Sequence, residues 1–374
     1  FSHQTRDAYW KHGSVCEDYS AIDAAVLSIG GWHDGYRNTV SHLVENVSAP
    51  VKGIVGPWIH KYPHFAAPGP AIGFLQEALR WWDRWLKDID TGVENDPAMR
   101  LWLMDSVRPA YWHPERPGRW IAEVEWPSTN IQTRTLHLAA SGLAAEPSPL
   151  ERIVASPQDC GLATGEYFPF NFGPELPGDQ RPDDALAACF DGDALSAPLD
   201  IVGAPRIDLG FVADRPQANV CVRLCDVHPD GASELIAYGL LNLTHRTSHE
   251  FPAPLVPGEA ATATVILDQC AYRVPAGHRL RVAISTAYWP SIWPSPEPVA
   301  LTLQAGTLSL PVRPSAGSDE WRFEEPEAAP SWKIEEVRKA SSERRIERDL
   351  ETGLVTVIVA NDFGEARDLE HGLV

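Results

Sequence analysis

Two short, uninterrupted apolar runs stand near the start of the chain, AAVLSI at 24–29 and VKGIV at 51–55. Runs of this length with no polar alternation are the pattern of strands buried on both faces of a parallel sheet. Between them, TVSHLVENV places Val40, Leu43, Val44 and Val47 on one helical stripe. After PHFAAPGP, the segment AIGFLQEALRWWDRWLKDI puts Ile72, Leu75, Leu79, Trp82, Leu86 and Ile89 on a single apolar face, with Pro70 before it and Gly92 just past its end. That spacing predicts the clearest helix of the chain. Strand, helix, strand, helix is the order of an α/β layered domain with a parallel sheet.

The texture changes near Val93. From Met99 onward the apolar positions form short β-type runs: MRLWLM, RWIAEV, TRTLHLA, LDIVGAPRIDLGFVA, NVCVRLCDV, LIAYGLLNLTHR, ATATVILD, HRLRVAIS and VALTLQ. Pro- and Gly-rich turns separate them and no long helical pattern intervenes, which predicts a β-sandwich of jelly-roll type. Residues 157–198, rich in Pro, Gly and Asp, read as a long ordered loop within it. Past Pro311 an acidic, Pro-rich connector leads to RRIERDLETGLVTVIVAND, the pattern of a hairpin with its turn at 351–353. The expected division is 1–92, 93–310 and 311–374.

Composition narrows the function. The 374 residues exceed one average domain, and 51 acidic against 31 basic residues give a formal charge of −20. A nucleic-acid partner needs basic patches, and no apolar run is long enough to span a bilayer, so neither nucleic acid nor membrane is an expected partner. The six cysteines (Cys16, Cys160, Cys189, Cys221, Cys225 and Cys270) are scattered, with no C-x-x-C pair. They read as free, mostly buried thiols; with the acidic charge they lean towards a soluble, cytoplasmic setting. The chain begins at Phe1 on a polar stretch and stops at Val374 directly after EHGLV, so a piece of a longer protein is expected.

The candidate chemistry lies where the two apolar runs end. The first runs into GGWHDGYRNTV, which presents Asp34, and the second into GPWIH, which presents His60. Asp-Gly is also a hairpin signal, but the flanking TVSHLVENV does not alternate as a hairpin strand would. At the carboxyl ends of parallel strands, where open α/β sheets place their ligands, an acid and a histidine suggest the orienting and basic members of a nucleophilic triad. Zinc held by His33, His60 and His64 is the rival. The four-residue spacing of His60 and His64 would need a helix, which Pro63 disfavours, and neither H-E-x-x-H nor a second carboxylate accompanies them. No metal and no cofactor are expected. A triad needs a nucleophile, yet the glycine pairs four apart at 31/35, 69/73 and 161/165 have His33, Ala71 and Ala163 at their centres. The G-x-S-x-G elbow is therefore absent, and the order Ser, acid, His places it before residue 1. Ser14, in HGSVC, has no strand before it.

GGWHDGY, then VGPWIH, a Trp-rich helix, CVRLCDVHPDG and YRVPAGHRLRVAIS, in this order, resemble the cocaine esterase and X-Pro dipeptidyl-peptidase family of serine hydrolases over roughly residues 1–310. The resemblance implies the carboxy-terminal part of an α/β-hydrolase domain, preceded by the end of its cap in residues 1–20, and then a jelly-roll domain of galactose-binding-like type. It implies Asp34 as the triad acid, His60 as the general base, and Tyr36 at an aromatic position that lines the acyl pocket. Where many members carry a Pro-Arg-Phe-Asp-like run after the GHR strand, this chain has YWPSIWPSPEP, a loop expected near the substrate.

The expected function is thus part of a serine hydrolase that cleaves esters or amides, X-Pro dipeptidyl amides among them, through an acyl-enzyme. It would carry the Asp and His but not the Ser, so the chain alone should be inactive. The expected partner is a small ester, amide or short peptide, and a homo-oligomer is left open. The rival is a non-catalytic jelly-roll protein binding carbohydrate or another ligand. One distance separates them: an Asp34 carboxylate beyond hydrogen-bond reach of His60 would sink the hydrolase.

Overall fold

A computed structural model describes residues 2–170, 173–314 and 320–372; Phe1, Val374 and part of the acidic connector lie outside the described residues. A short helix α1 (Ala8–His12) precedes β1 (Val26–Gly31), α2 (Arg37–Asn46), β2 (Val51–Gly56), α3 (Phe74–Lys87) and β3 (Met99–Asp105). The rest is nearly all strand: β4 (Gly118–Glu123), β5 (Gln132–Ala139), β6 (Gly142–Ala144), β7 (Arg152–Val154), the one-turn α4 (Arg181–Asp184), β8 (Ala188–Asp191), β9 (Leu199–Gly203), β10 (Arg206–Ala213), β11 (Asn219–Val227), β12 (Ser233–Asn242), β13 (Ala260–Ile266), β14 (Cys270–Val274), β15 (Arg279–Ser285) and β16 (Leu301–Arg313).

β1 and β2 pair in parallel, Val26 opposite Val51 and Gly31 opposite Gly56. Val40 and Val44 of α2 pack on them, Ile54 and Val55 are buried, and the helical stripe read from TVSHLVENV is the one that faces the sheet. β3 adds in parallel to β2, pairs antiparallel with β4 on its other edge, and at its end meets β14. The texture change at Val93 is therefore not a break in the hydrogen-bonded sheet, which runs on through β14, β9, β16, β10 and β13. A second, four-stranded sheet has the order β12-β11-β15-β8 and shares one core with the first: Val222 and Leu224 of β11 and Ile284 of β15 join Ile201, Ile207 and Leu303 from the facing strands.

The long loop expected over 157–198 is interrupted by α4 and by β8, the edge strand of the second sheet. A four-residue strand carries too little alternation to register in the sequence. The apolar face of α3 is the larger surprise. Leu75, Leu79, Trp82 and Leu86, with Ile89 just past the helix, are between 42% and 77% exposed, while Ile72, before the helix begins, and Trp81, on its opposite side, are buried. The opposite side also carries Glu77, which binds the buried Arg100 at 2.7 Å, and Arg80, which meets Asp96 at 3.2 Å. Periodicity shows which side chains share a face, but not what covers it.

After the connector, β17 (Ile334–Arg338), β18 (Ser341–Arg348), β19 (Val355–Asp362) and β20 (Glu365–Asp368) form two ribbons, β18 with β19 and β17 with β20. The β18–β19 hairpin is the one read from the sequence.

Candidate active site

Glycine lets the two strand ends approach each other. A Cβ on Gly31 would lie 2.0 Å from the Trp58 carbonyl oxygen, so no other residue fits there without displacing backbone. The ladder then continues one step past each strand: the Trp32 N–H donates to Gly56 O at 2.9 Å and the His33 N–H to Trp58 O at 3.0 Å. The buried Trp32 indole donates to Trp102 O at 2.7 Å, fixing the turn to β3. Asp34 N–H returns to Gly31 O, and Asp34 O accepts from both Arg37 N–H and Arg37 Nε. The Asp-Gly pair is thus a strand-to-helix turn with Tyr36 as the cap residue of α2, not a hairpin.

The exit of β2 is held as firmly. Trp58 is buried and its indole donates to Pro70 O at 2.8 Å, Ile59 N–H donates to Ala67 O, and His60 N–H donates to Pro169 O at 3.3 Å. These anchors bring His60 Nδ1 to 2.8 Å from Asp34 Oδ2. Asp34 is buried, with its other oxygen accepting the Tyr36 N–H at 2.8 Å. An ionised carboxylate only accepts, so the proton on this edge of His60 sits on Nδ1 and leaves Nε2 with its lone pair. The His60 side chain is 42% exposed and lines an open cleft of ≈ 590 Å³, together with Asp34, Tyr62, Phe65, Phe74 and Phe170.

Tyr36 is exposed, its ring edge-on to His60 at 5.9 Å and to Phe168 at 5.2 Å. Phe168 and Phe170 were not singled out in the sequence. They reach across from the 157–187 segment and place their rings 4.4 Å and 5.3 Å from His60. The aromatic density of YFPF at 167–170 is the signal that could have found them. Tyr167 secures the same loop, its hydroxyl donating to Gly35 O at 3.2 Å. YWPSIWPSPEP contributes nothing to the cleft lining; Trp293 there is exposed and packs on Trp289 instead.

The other sequence candidates are accounted for locally. His33 Nε2 is buried with no partner, and burial together with the nearby Arg116 and Arg37 holds its pKa well below the usual histidine value. It packs as a neutral ring. His64 stacks on Phe74 at 5.6 Å, and the exposed Ser14 hydroxyl donates to Trp10 O at 2.6 Å. Among the described residues, the grouping with metal-ligand character is elsewhere, at Asp226, His228 and His278, with potential ligand atoms within 4.8 Å of one another. Both Asp226 oxygens are already engaged, one by His278 Nδ1 at 2.8 Å and one by the Tyr272 hydroxyl at 3.0 Å. All six cysteines are free thiols; burial pushes Cys160 up to about 11, which leaves it protonated and unreactive. No helix of the described residues is long and apolar enough to cross a membrane.

With this geometry in place, comparison with known proteins gives two family matches. Residues 91–324 match the X-Pro dipeptidyl-peptidase C-terminal non-catalytic domain, and residues 1–62 match X-Pro dipeptidyl-peptidase (S15 family). Cocaine esterase of Rhodococcus sp. (strain MB1 Bresler) is 22% identical over 316 residues, covering 77% of this chain and 53% of that protein. The chain spans about half the length of the curated relatives it matches. Among solved structures, an aminopeptidase from the marine sediment archaeon Thaumarchaeota archaeon superposes with a TM-score of 0.65 at 17% identity, covering 84% of this chain and 59% of that one. A CocE/NonD family hydrolase from Staphylococcus aureus gives 0.64 at 14%, covering 83% and 58%. At these identities the two superpositions establish a shared fold.

Proposed function

We propose a function from one premise: the chain belongs to the cocaine esterase and X-Pro dipeptidyl-peptidase family of serine hydrolases. Asp34 and His60 are the acid and the base of a catalytic triad whose serine lies on a segment outside this chain. The observation that carries the reading is the 2.8 Å contact between His60 Nδ1 and Asp34 Oδ2, built from the ends of two neighbouring parallel strands. His278 and Asp226 pair at the same 2.8 Å, but His278 is mostly buried, whereas His60 opens onto a cleft able to admit a substrate.

In the complete site, His60 Nε2 takes the serine proton as the serine oxygen attacks the substrate carbonyl. The imidazolium that forms is stabilised by Asp34, which the Tyr36 N–H holds in place, and it then protonates the leaving alcohol or amine. Water attacks the acyl-enzyme by the same route in reverse. Tyr36, Phe168 and Phe170 ring His60 and suit an acyl or leaving group with apolar or aromatic surface.

Two surfaces support a nucleophile carried elsewhere. β1 is an edge strand of the sheet, and the apolar face of α3 has no cover among the described residues. Exposed apolar faces of this kind mark surfaces that pack on something further. In this reading residues 1–92 complete an α/β-hydrolase sheet, 93–310 form a jelly-roll domain that supplies the aromatic loop, and 311–374 extend it.

The test is His60→Ala in the longer protein that carries the serine. Turnover of a nitrophenyl ester should fall by about 10³-fold or more, with an unchanged circular dichroism spectrum. Wild-type turnover in that variant would refute the assignment.

A further inference from the structure

We infer that the β18–β19 hairpin is a clamp that fixes the aromatic loop over His60, with Arg344 as its positioning residue. The catalytic meaning of this inference rests on the hydrolase reading; the clamp itself does not.

The hairpin lies beyond residue 324, where the match to the shared C-terminal domain stops. Its strands are mostly exposed, so it has no core of its own to explain its position. What it does have is a set of contacts with the segment that carries Tyr167, Phe168 and Phe170. The Arg344 side chain is only 8% exposed; its guanidinium pairs with Glu166 and donates to Gly165 O at 3.3 Å. Arg348 pairs with Asp159 further along the same strand. Ser342 presses on the far limb of the loop, its Oγ 2.6 Å from where a Cβ on Gly173 would sit. These three contacts hold the loop at 159, at 165–166 and at 173.

Between these points the loop is tied to the candidate site. Glu166, gripped by Arg344, donates its N–H to Glu175 O at 2.7 Å, which closes the loop at its neck. One residue on, the Tyr167 hydroxyl reaches Gly35 O; two residues on, the Phe168 ring lies against His60; and Pro169 O accepts the His60 N–H. A cleft of ≈ 250 Å³ separates the hairpin from the rings, bordered by Phe168, Phe170, Arg344, Val359 and Asn361. The rings pack on Gly35, Tyr36 and His60 on one side only; on the hairpin side that space is open, and the polar grip at the neck is what holds the loop there. A near-buried guanidinium pairing with a carboxylate while also donating to a backbone carbonyl is a far more specific tether than a solvated ion pair. The hairpin therefore helps decide which groups fit beside His60.

The experiment uses the chain as it stands and needs no turnover. The ring C–H resonances of His60, assigned with His60→Gln, sense the ring current of Phe168, while hydrogen exchange reports on peptides spanning 160–178. Arg344→Ala should move the His60 resonances towards those of free histidine and speed exchange of the loop about tenfold, with β10 to β16 unaffected. Glu166→Gln should do the same, and Arg344→Lys should restore part of the wild-type shift. If Arg344→Ala also loosens β10 to β16, Glu166→Gln decides. Wild-type His60 resonances and loop exchange in both Arg344→Ala and Glu166→Gln would overturn the inference. Because neither readout involves catalysis, the clamp can fail while the triad stands, or the reverse.

Discussion

Replacing Asp34 by Asn tests the site at its most constrained atom. The carboxylate uses each oxygen once: Oδ1 accepts from the Tyr36 N–H and Oδ2 from His60 Nδ1, both at 2.8 Å. An amide can accept at only one of these places. With its oxygen towards Tyr36, its NH₂ meets His60 Nδ1–H; with the amide flipped, the NH₂ meets the Tyr36 N–H instead. Either way two donors face each other in a buried position, at a cost of about 1–3 kcal/mol for the unsatisfied group. Histidine can relieve this by moving its proton from Nδ1 to Nε2, because Nδ1 then accepts from the amide. The backbone N–H has no such option, so the first orientation with the switched tautomer is the expected state. Nitrogen-15 spectra of the His60 ring in the isolated chain should show Nδ1 protonated in the wild type and Nε2 protonated in Asp34→Asn. In the proposed serine-bearing protein, a base whose Nε2 already holds a proton cannot accept another from the nucleophile. Turnover should then fall by about 10⁴, or about 5.5 kcal/mol at 1.36 kcal/mol per decade, with little change in KM. A retained Nδ1–H tautomer, or a switched tautomer with undiminished turnover, would refute the reasoning.

Two further outcomes concern the scaffold. Gly31→Ala forces a methyl to within 2.0 Å of the Trp58 carbonyl oxygen, a backbone atom that cannot rotate away; a loss of about 3 kcal/mol or more is expected, read as a lower urea midpoint, together with loss of the Nδ1-protonated His60 signal as the two strand ends part. An unchanged midpoint would show that the strand ends are not in contact. The second outcome concerns acid. Burial holds His33 neutral in the folded chain to well below its ordinary value of 6.5, with Arg116, Arg37 and His113 adding to the effect, and His113 itself is lowered by burial and Arg116. The unfolded chain takes up these protons first, so stability is lost as pH falls below the ordinary histidine value. Urea midpoints at about pH 7.5 and about pH 5.5 should therefore differ less in His33→Gln than in the wild type, and an equal difference would show that His33 titrates alike in both states.

The parts of the molecule legible in the sequence are those whose cause is local. Buried parallel strands need apolar side chains on both faces, so AAVLSI and VKGIV announced themselves, and the stripe of Val40, Val44 and Val47 could face only the sheet between them. Asp34 and His60 were legible because a polar residue directly after such a strand lies at the carboxyl edge of the sheet, where neighbouring strand ends are close. Phe168 and Phe170 were not, because they sit more than a hundred residues further on, in a segment with no period, and reach His60 only through the path of the intervening strands. β14 was missed for a related reason. Its five residues carry little pattern, and what places it beside β3 and β9 is the sheet that closes around it.

The exposed face of α3 shows where a local signal stops being sufficient even when read correctly. Leu75, Leu79, Trp82 and Leu86 share a face as their spacing requires, yet the face turned inward carries Glu77, Arg80 and Trp81. The inward choice is explained by Arg100. This guanidinium, 1% exposed, needs a partner, and Glu77 meets it at 2.7 Å while Trp321 and Phe323 lie over it at 5.2 and 5.1 Å. Asp96 lies further off, at 3.6 Å, so Glu77 is the close partner, and breaking a buried pair of this kind costs up to about 3–5 kcal/mol, which can hold a helix against the pull of its own apolar face. The apolar face is then left without cover among the described residues, and its neighbours Phe74, Tyr62 and Phe65 are residues that line the His60 cleft. A surface laid on that face would therefore border the cleft as well. On the proposed reading, the segment that carries the nucleophile approaches His60 from that side, with Phe168 packed against the ring at 4.4 Å.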